Sequence, residues 1–430
     1  MTKVSTFFLL LLFCLLGIHS AFGQDHIKMM QYNLMYYTEN SGVSDCTSSN
    51  NSLASKDANI RTIFHHVMPD VFCVCEMGSN LTYVERLLNN AINTDGINYY
   101  QHGPLTNYSG GSIANMIYYD SRKLTLYNSC AISTSYRDIN GYTMYLKSTD
   151  LASGDTIFIT FWITHLKAGS SDANANARAL QAQRLMEKIE SLGAPGNYVV
   201  SGDFNVYGAS EPAYQEMINY NNSLYRLYDP INQEGEWNNN RDFKLYHTQS
   251  THAYESDGCF ASGGMDDRFD FILVSPYIYY GSRNVQVLPE TYYALGQDGN
   301  RFNNSINSPA NTSVPTDVAN ALYNQSDHVP VITEFEFNAR VGVTDPTCEF
   351  LCRATNPIQD GLDIQLQTED DNIYSFDLYS IDGKLLRSES QKLDKGVHHI
   401  KHTFDYSKGV YILKVSSQEH QQHIIKLVKQ

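Results

Sequence analysis

Asp203 and Asn205 lie two residues apart in Ser201-Gly202-Asp203-Phe204-Asn205. At that spacing, at the end of an extended strand, a carboxylate and a carboxamide point the same way. The aspartate can then hold or deprotonate a water, and the asparagine can donate to an anionic oxygen. A plainer alternative is a loop in which both only form turn hydrogen bonds. Other polar residues bear on the choice. Glu76 ends the apolar run Val71-Phe72-Cys73-Val74-Cys75, where alone it reads as a solvated strand end. His165 ends the run Thr156 to Thr164, a place where a lone histidine is more often structural. Asp270 interrupts an otherwise apolar strand, which is costly unless the carboxylate is paired. His328, in Ser326-Asp327-His328, is a natural partner for it.

These residues fall at the ends of regular elements. Ile27 to Leu34 reads as a first strand with Asn33 near its end, followed by a polar loop, Asn40 to Ser55. Ile60, Ile63, Phe64 and Val67 mark a helix that Pro69 stops. Val71 to Glu76 is a strand, and Val84, Leu87, Leu88 and Ala91 mark a second helix. Strands recur over Ser112 to Tyr119, Lys123 to Asn128 and Tyr142 to Lys147. Thr156 to Thr164 is apolar or β-branched on both faces, as a central strand should be. A helix follows from about Asp172 to Leu192, then the strand Asn197 to Val200. Strand–helix–strand repeats ending in polar residues are the rhythm of a layered α/β fold, with its site where strand ends gather. Gly208 to Thr248 and Gln297 to Thr316 are polar and rich in Asn, and read as loops.

Composition bounds the partners. The 430-residue chain is 42% hydrophobic, enough for a large core, and carries a formal charge of −16. Of this, −14 lies before Thr355 and −2 from Thr355 onward. Such a surface repels polyanions at long range and argues against tight, nonspecific nucleic-acid binding, although a local metal site reverses the sign where it sits. Lys3, the apolar run Phe7 to Ile18 and Ala21-Phe22-Gly23 read as a secretory signal peptide over residues 1–23, too short in its apolar run to span a membrane. No later run is long enough to do so. Without Cys14, seven of the eight cysteines remain, so at least one thiol stays unpaired or pairs outside the chain. Cys348 and Cys352 are the best-placed close pair. Cys73 and Cys75 read as buried small hydrophobes, and Cys46, Cys130 and Cys259 stay unassigned.

Taken in order, Tyr32-Asn33, Cys75-Glu76-Met77, Thr164-His165-Leu166-Lys167, Gly202-Asp203-Phe204-Asn205, Asp267-Arg268-Phe269-Asp270 and Ser326-Asp327-His328 resemble the endonuclease/exonuclease/phosphatase (DNase I-like) superfamily. The resemblance covers roughly residues 24–338. It implies a four-layer α/β sandwich, with two central mixed β-sheets flanked by helices. It also implies Mg2+ (or Mn2+) held mainly by Glu76 with help from Asn33 and Asp327. Asp203 would orient or deprotonate the attacking water, and Asn205 would hold the phosphate. His165 and His328 would face the phosphoryl oxygens, with Asp270 fixing His328. An oxygen-rich site suits Mg2+ or Mn2+ better than zinc, and the spacings carry no Cys or His metal motif. One departure stands: DNase I-like members pair the first histidine with a glutamate lying between Glu76 and His165, and none is evident here. Glu85 lies on a predicted helix.

Residues 339–357, with Gly342, Pro346 and Pro357, read as a linker to a small all-β sandwich over 358–430. Asn356-Pro357, Tyr379-Ser380-Ile381-Asp382-Gly383-Lys384 and Gly409-Val410-Tyr411-Ile412-Leu413-Lys414-Val415 resemble the type A C-terminal sorting domain of the type IX secretion system. That resemblance implies engagement of the secretion machinery, export across the outer membrane to the surface or medium, and removal of the module. The alternative is a carbohydrate-binding or adhesive β domain. The expectation is a secreted, monomeric, divalent-metal-dependent phosphodiesterase acting on nucleic acid. A lipid or small-molecule phosphoesterase is the alternative, and a non-catalytic surface-binding protein a third.

Overall fold

The computed structural model describes residues 25–39, 45–147, 156–193, 195–254, 258–337, 350–359, 361–368, 370–418 and 422–429. Residues 1–23, read from the sequence as a signal peptide, lie outside them. In chain order the first part runs β1 (Asp25–Tyr37), α1 (Leu53–Val67), β2 (Val71–Gly78), α2 (Leu81–Leu87), β3 (Tyr100–His102), β4 (Ile113–Asp120), β5 (Leu124–Ile132), β6 (Ile139–Leu146), β7 (Phe158–His165), α3 (Asp172–Ser191), β8 (Tyr198–Asp203), α4 (Pro212–Ile218), β9 (Asp270–Val274), α5 (Pro276–Tyr280), β10 (Val285–Ala294), α6 (Thr316–Gln325) and β11 (Val331–Phe337).

Two mixed sheets form the centre. One has the order β10-β11-β1-β2-β4-β3, the other β5-β6-β7-β8-β9. Each contains one parallel pair, β1 with β2 and β7 with β8, and these pairs require helical crossovers. The period-two pattern of β2 shows how the layers close. Cys73 and Cys75 face the core between the sheets, with Ile159, Phe161, Ile163, Val199 and Ile272. Phe72 and Val74 face the other way, against Ile60, Ile63 and Phe64 of α1. On the far side Ala182, Leu185, Met186 and Ile189 of α3 and Tyr214 of α4 cover Trp162, Val200 and Phe271. The result is the four-layer α/β sandwich, helices outside and sheets inside, and β7 sits at the centre of its sheet as its two apolar faces require.

The sequence reading placed the main strands to within a few residues. In the first part it left β3, α4, α5, β10 and α6 unassigned; β3 is only three residues long, and α4 and α6 lie in or beside Asn-rich polar stretches. Cys46 and Cys259 form a disulfide across 213 residues of sequence. Cys73 and Cys75 are free buried thiols, and Cys352 is buried in the last core, while Cys348 lies outside the described residues.

The C-terminal part is all-β: β12 (Phe350–Ala354), β13 (Gly361–Thr368), β14 (Asn372–Ser380), β15 (Leu385–Leu393), β16 (Gly396–Thr403), β17 (Gly409–Ser417) and β18 (Gln422–Lys429). They make sheets of three strands, β12-β13-β16, and four, β15-β14-β17-β18, around one core that includes Leu366, Phe376, Leu413 and Val415. Strand β12 falls within the stretch read as linker and pairs with β13. Among the described residues no helix is long and apolar enough to cross a membrane.

Candidate active site

The site stands at the carboxyl ends of the two parallel strand pairs, one pair from each sheet. In the second sheet, β7, β8 and β9 bring His165, Asp203 and Asp270 into one row: His165 is the register partner of Asp203, and Asp203 that of Asp270. Register partners share a face of a sheet, so the three side chains emerge together. In the first sheet Asn33 of β1 pairs in register with Cys75 of β2, which puts Glu76 one residue beyond. Gln31 of β1 lies opposite Val331 of β11, so residues 326–328, just before β11, fall beside Asn33.

Local backbone keeps the row tight. Gly202 has φ +147°, and a Cβ there would lie 1.7 Å from the Thr164 carbonyl oxygen of the neighbouring strand. Only glycine permits that approach. Glu76 and Asn205 both take positive φ, +59° and +52°. Asn205 N–H donates to Asp203 Oδ1 at 3.0 Å and its side-chain nitrogen to Leu166 O at 3.4 Å. Non-glycine residues held in that region are sparse and cluster at functional sites.

All eight residues singled out from the sequence meet here. Asn33 Nδ2 donates to Glu76 Oε1 and to Asp203 Oδ2, both at 3.0 Å, while its oxygen accepts Met35 N–H at 2.9 Å. Tyr36 N–H donates to Glu76 Oε2 at 3.0 Å. His165 Nε2 lies 3.5 Å from Asp203 Oδ2 and 3.8 Å from Glu76 Oε1. His328 Nε2 lies 3.7 Å from the same Asp203 oxygen, and its Nδ1 is 2.6 Å from Asp270 Oδ2. Asp327 Oδ1 lies 4.0 Å from His328 Nε2, and its Oδ2 accepts Ala261 N–H at 3.2 Å.

The compact group of ligand atoms is Glu76, His165 and Asp203, all within 4.8 Å of one another. Of the residues expected to hold a metal, Glu76 belongs to this group. Asn33 links Glu76 to Asp203 through its nitrogen, and Asp327 lies outside it. A partly buried and a buried carboxylate with an imidazole at that separation fit a divalent cation, and the electrostatics agree. Burial pushes the Glu76 pKa up and lifts Asp203 to about 7, with the Asp270 and Glu76 charges adding to the latter. Among the described residues neither carboxylate is ion-paired to a lysine or arginine, so negative charge in the pocket is under-compensated.

The two imidazoles are set apart by what lies behind them. Burial lowers the His165 pKa well below the usual value, and the Arg137 charge lowers it further. Its buried Nδ1 has no hydrogen-bond partner among the described residues. The glutamate expected behind it is absent; Glu85 instead accepts from His102 Nε2, 3.1 Å away on α2. Burial also disfavours charge on His328, but the carboxylates of Asp270 and Asp203 outweigh it and hold that pKa well above the usual value. Environments that push two like groups apart divide acid from base roles.

Two residues escaped the sequence reading. Gln249 Nε2 lies 2.8 Å from His328 Nε2 and 3.2 Å from Asp327 Oδ2. With His328 charged, both ring nitrogens carry a proton, so an amide nitrogen facing Nε2 sets donor against donor. A flip of its amide offers an oxygen to the imidazolium instead. It sits just past the Asn-rich loop, where no periodicity marks it. Lys56 is buried beneath the site, and its Nζ donates to Leu34 O at 3.0 Å and Gln325 O at 2.7 Å. Burial pushes its pKa down to about 7. Its signal was present: Lys56 falls on the apolar stripe of α1 with Leu53, Ile60, Ile63 and Val67.

Comparison with known proteins places this geometry. No curated protein matches the chain. Among solved structures, the human Nocturnin catalytic domain with bound sulfate is 16% identical, covering 73% of this chain and 98% of its own, with a TM-score of 0.45. TDP2 of D. rerio in complex with a single-strand DNA product is 14% identical, covering 72% and 98%, with a TM-score of 0.43. An endonuclease/exonuclease/phosphatase from Beutenbergia cavernae is 13% identical, covering 94% and 100%, with a TM-score of 0.42. A model for the secretion system C-terminal sorting domain matches residues 356–430, so the β-sandwich is a type IX sorting domain and the chain is an exported one. A second model matches residues 30–328, the whole span that supplies the site from Asn33 to His328. On that match the chain belongs to the endonuclease/exonuclease/phosphatase family of phosphoester hydrolases.

Proposed function

We propose that the chain is an exported phosphodiesterase that works with a divalent cation, Mg2+ or Mn2+, and hydrolyses nucleic acid, DNA or RNA, by attack of water on the phosphodiester. One observation carries the reading. The same Asp203 oxygen stands 3.5 Å from a neutral imidazole, His165, and 3.7 Å from a charged one, His328. That is an acid–base set gathered on one carboxylate oxygen.

Glu76 is the principal metal ligand, with Asp203 and His165 beside it, and Asn33 and Asp327 assist directly or through water. When bound, the cation neutralises charge on the phosphoryl oxygens and aids the leaving oxygen. Asp203, at a pKa of about 7 without a cation, orients the attacking water and accepts its proton. Asn205 donates to a phosphoryl oxygen. His328, held by Asp270, carries positive charge toward the same group, and neutral His165 faces it beside the metal ligands. Residues 1–23 act as a signal peptide for the first export step.

The charge of −16 favours a second reading, a lipid or small-molecule phosphoesterase, because it offers no long basic track for a polynucleotide. Plasmid DNA, RNA, sphingomyelin and a chromogenic phosphodiester, each incubated with Mg2+ or Mn2+ and again with EDTA, separate the readings. Cleavage of nucleic acid that EDTA abolishes is expected. No turnover of any substrate sinks both readings, and turnover of sphingomyelin alone sinks the first.

A further inference from the structure

Among the described residues, six arginines have a carboxylate partner. Arg86, Arg122, Arg178, Arg268, Arg301 and Arg387 each ion-pair with a carboxylate. Arg137 does not, among the described residues, and it stands at the edge of the site. Its Nη1 donates to Leu166 O at 3.3 Å, and Asn205 Nδ2 donates to the same oxygen at 3.4 Å. Leu166 directly follows His165. The guanidinium is therefore side by side with the Asn205 carboxamide, one residue from the first imidazole. It is half-buried, whereas His165, Asp203 and His328 are 3%, 2% and 3% exposed. An arginine has five N–H donors in a planar fork, and one is used here.

The position is built. Thr134 Oγ1 accepts the N–H groups of Tyr136 and Arg137 at 3.1 and 3.2 Å and donates to Arg137 O at 2.7 Å. Buried Gln181 donates to that hydroxyl at 3.3 Å and accepts Lys167 N–H at 2.9 Å, which ties the turn to the segment after β7. Lys167 Nζ lies 5.7 Å from the ring centre of Tyr136, so a second cation shares this rim. Both charges bear on His165, and that of Arg137 also on Glu76.

We propose that Arg137, with Lys167 beside it, binds a second phosphate of the substrate, the one next to the phosphate being cleaved. The centre of the site already has a metal position, two imidazoles and Asn205 for the scissile group, which bears one negative charge. A cation with no ion-pair partner among the described residues, fixed at its rim in a chain of net charge −16, is placed for the next anion along the substrate. It makes the enzyme prefer phosphodiesters that carry a neighbouring phosphate over those that do not.

This inference rests on the phosphodiesterase reading, and the experiment tells the two apart. The full chain is assayed with Mn2+ or Mg2+ on bis(p-nitrophenyl) phosphate, on a dithymidine monophosphate, and on the same dinucleotide phosphorylated at both ends. The wild type is expected to prefer the phosphorylated dinucleotide over the unphosphorylated one in kcat/KM. Arg137→Gln is expected to reduce that ratio roughly 10- to 100-fold, the worth of a charge-assisted hydrogen bond. Equal loss on both dinucleotides, or no preference in the wild type, overturns the subsite while leaving the phosphodiesterase intact. No hydrolysis of any of the three overturns the proposed function itself. Should Arg137→Gln not fold, the wild-type preference must still weaken as salt is raised, since it rests on a half-exposed charge. A preference indifferent to salt refutes the subsite.

Discussion

His328 Nδ1 and Asp270 Oδ2 lie 2.6 Å apart, the closest approach between a histidine and a carboxylate around the site, and neither group reaches bulk water. The pair sets the charge of the ring whose other nitrogen faces Asp203. Against the cost of burial, Asp270 first and Asp203 second keep His328 protonated well above the usual imidazole range. His165, with no carboxylate behind it, stays neutral.

Asp270→Asn should remove most of that support. A histidine whose folded pKa is raised contributes stability below the unfolded value of 6.5 and loses it as pH rises through the folded pKa. The same limb appears in catalysis if the charged ring acts on the phosphate. The variant should lose roughly 10²- to 10⁴-fold in kcat, and its alkaline limb should move to lower pH. A pH–rate profile and an NMR titration of the His328 ring check this. An alkaline limb that stays put assigns it to another group.

Asp203→Asn should be inactive and yet more stable without metal. Its folded pKa is raised from 3.8 to about 7, the reverse of the usual carboxylate case, so the folded state binds more protons between those values and stability falls as pH rises through them. The amide removes that penalty, although its single oxygen accepts from the Asn205 N–H or from Asn33 Nδ2 and no longer from both. In EDTA, thermal melting of the variant should exceed the wild type at pH 8 and match it more closely near pH 4, at roughly 2–4 °C per kcal/mol. A lower melting point at pH 8 refutes the electrostatic account.

How far the sequence foretold this site follows from the physics of each residue. Asp203, Asp270, His165 and Glu76 were legible because each interrupts or ends an apolar strand, and a strand's end fixes where its side chain goes. Asp270 even announced the need for a partner. The pairing of rows across two sheets was supplied by the family resemblance, since contacts such as Asn33 to Asp203, 170 residues apart, leave no periodic trace. Gln249 and the Cys46–Cys259 disulfide sit on irregular loops whose path is set by tertiary contacts alone. Lys56 could have been read from the stripe of α1, where a lysine breaks an apolar face.

Divalent cation should stabilise the folded chain, because Glu76, His165 and Asp203 come together only when it is folded. At a cation concentration about 100 times Kd the gain is roughly 2.7 kcal/mol. Melting curves with and without Mn2+ measure it, and Glu76→Gln should abolish most of the shift. A full shift in that variant moves the metal elsewhere.

Lys56→Met should disturb catalysis from below. The ammonium joins Leu34 O, next to Asn33, to Gln325 O, next to Ser326-Asp327-His328. Loss of that tie lets the two metal-side and phosphate-side segments drift, and a misplacement near 1 Å can cost about 10²-fold. The loss should fall on kcat, with the far-UV spectrum unchanged. The wild type has a further signature. A lysine whose folded pKa is lowered from 10.5 to about 7 makes stability rise with pH across that window, and the variant should lack that rise. Equal slopes in the two proteins refute a buried ammonium.

Cys46→Ser tests the loops that flank the pocket. The disulfide joins the segment before α1 to the segment around Cys259, and two residues beyond, Ala261 N–H holds Asp327 Oδ2 at 3.2 Å. A bridge across 213 residues removes much chain entropy from the unfolded state, so its loss should cost about 2–5 kcal/mol. Ala261 is then less firmly fixed, and Asp327 loses a hydrogen-bond donor. Denaturant melts of the variant, and of reduced wild type, should shift together to lower midpoints. The variant's kcat/KM should also fall, because Asp327 stands against His328. Unchanged midpoints in both would mean that the bond adds nothing to the fold.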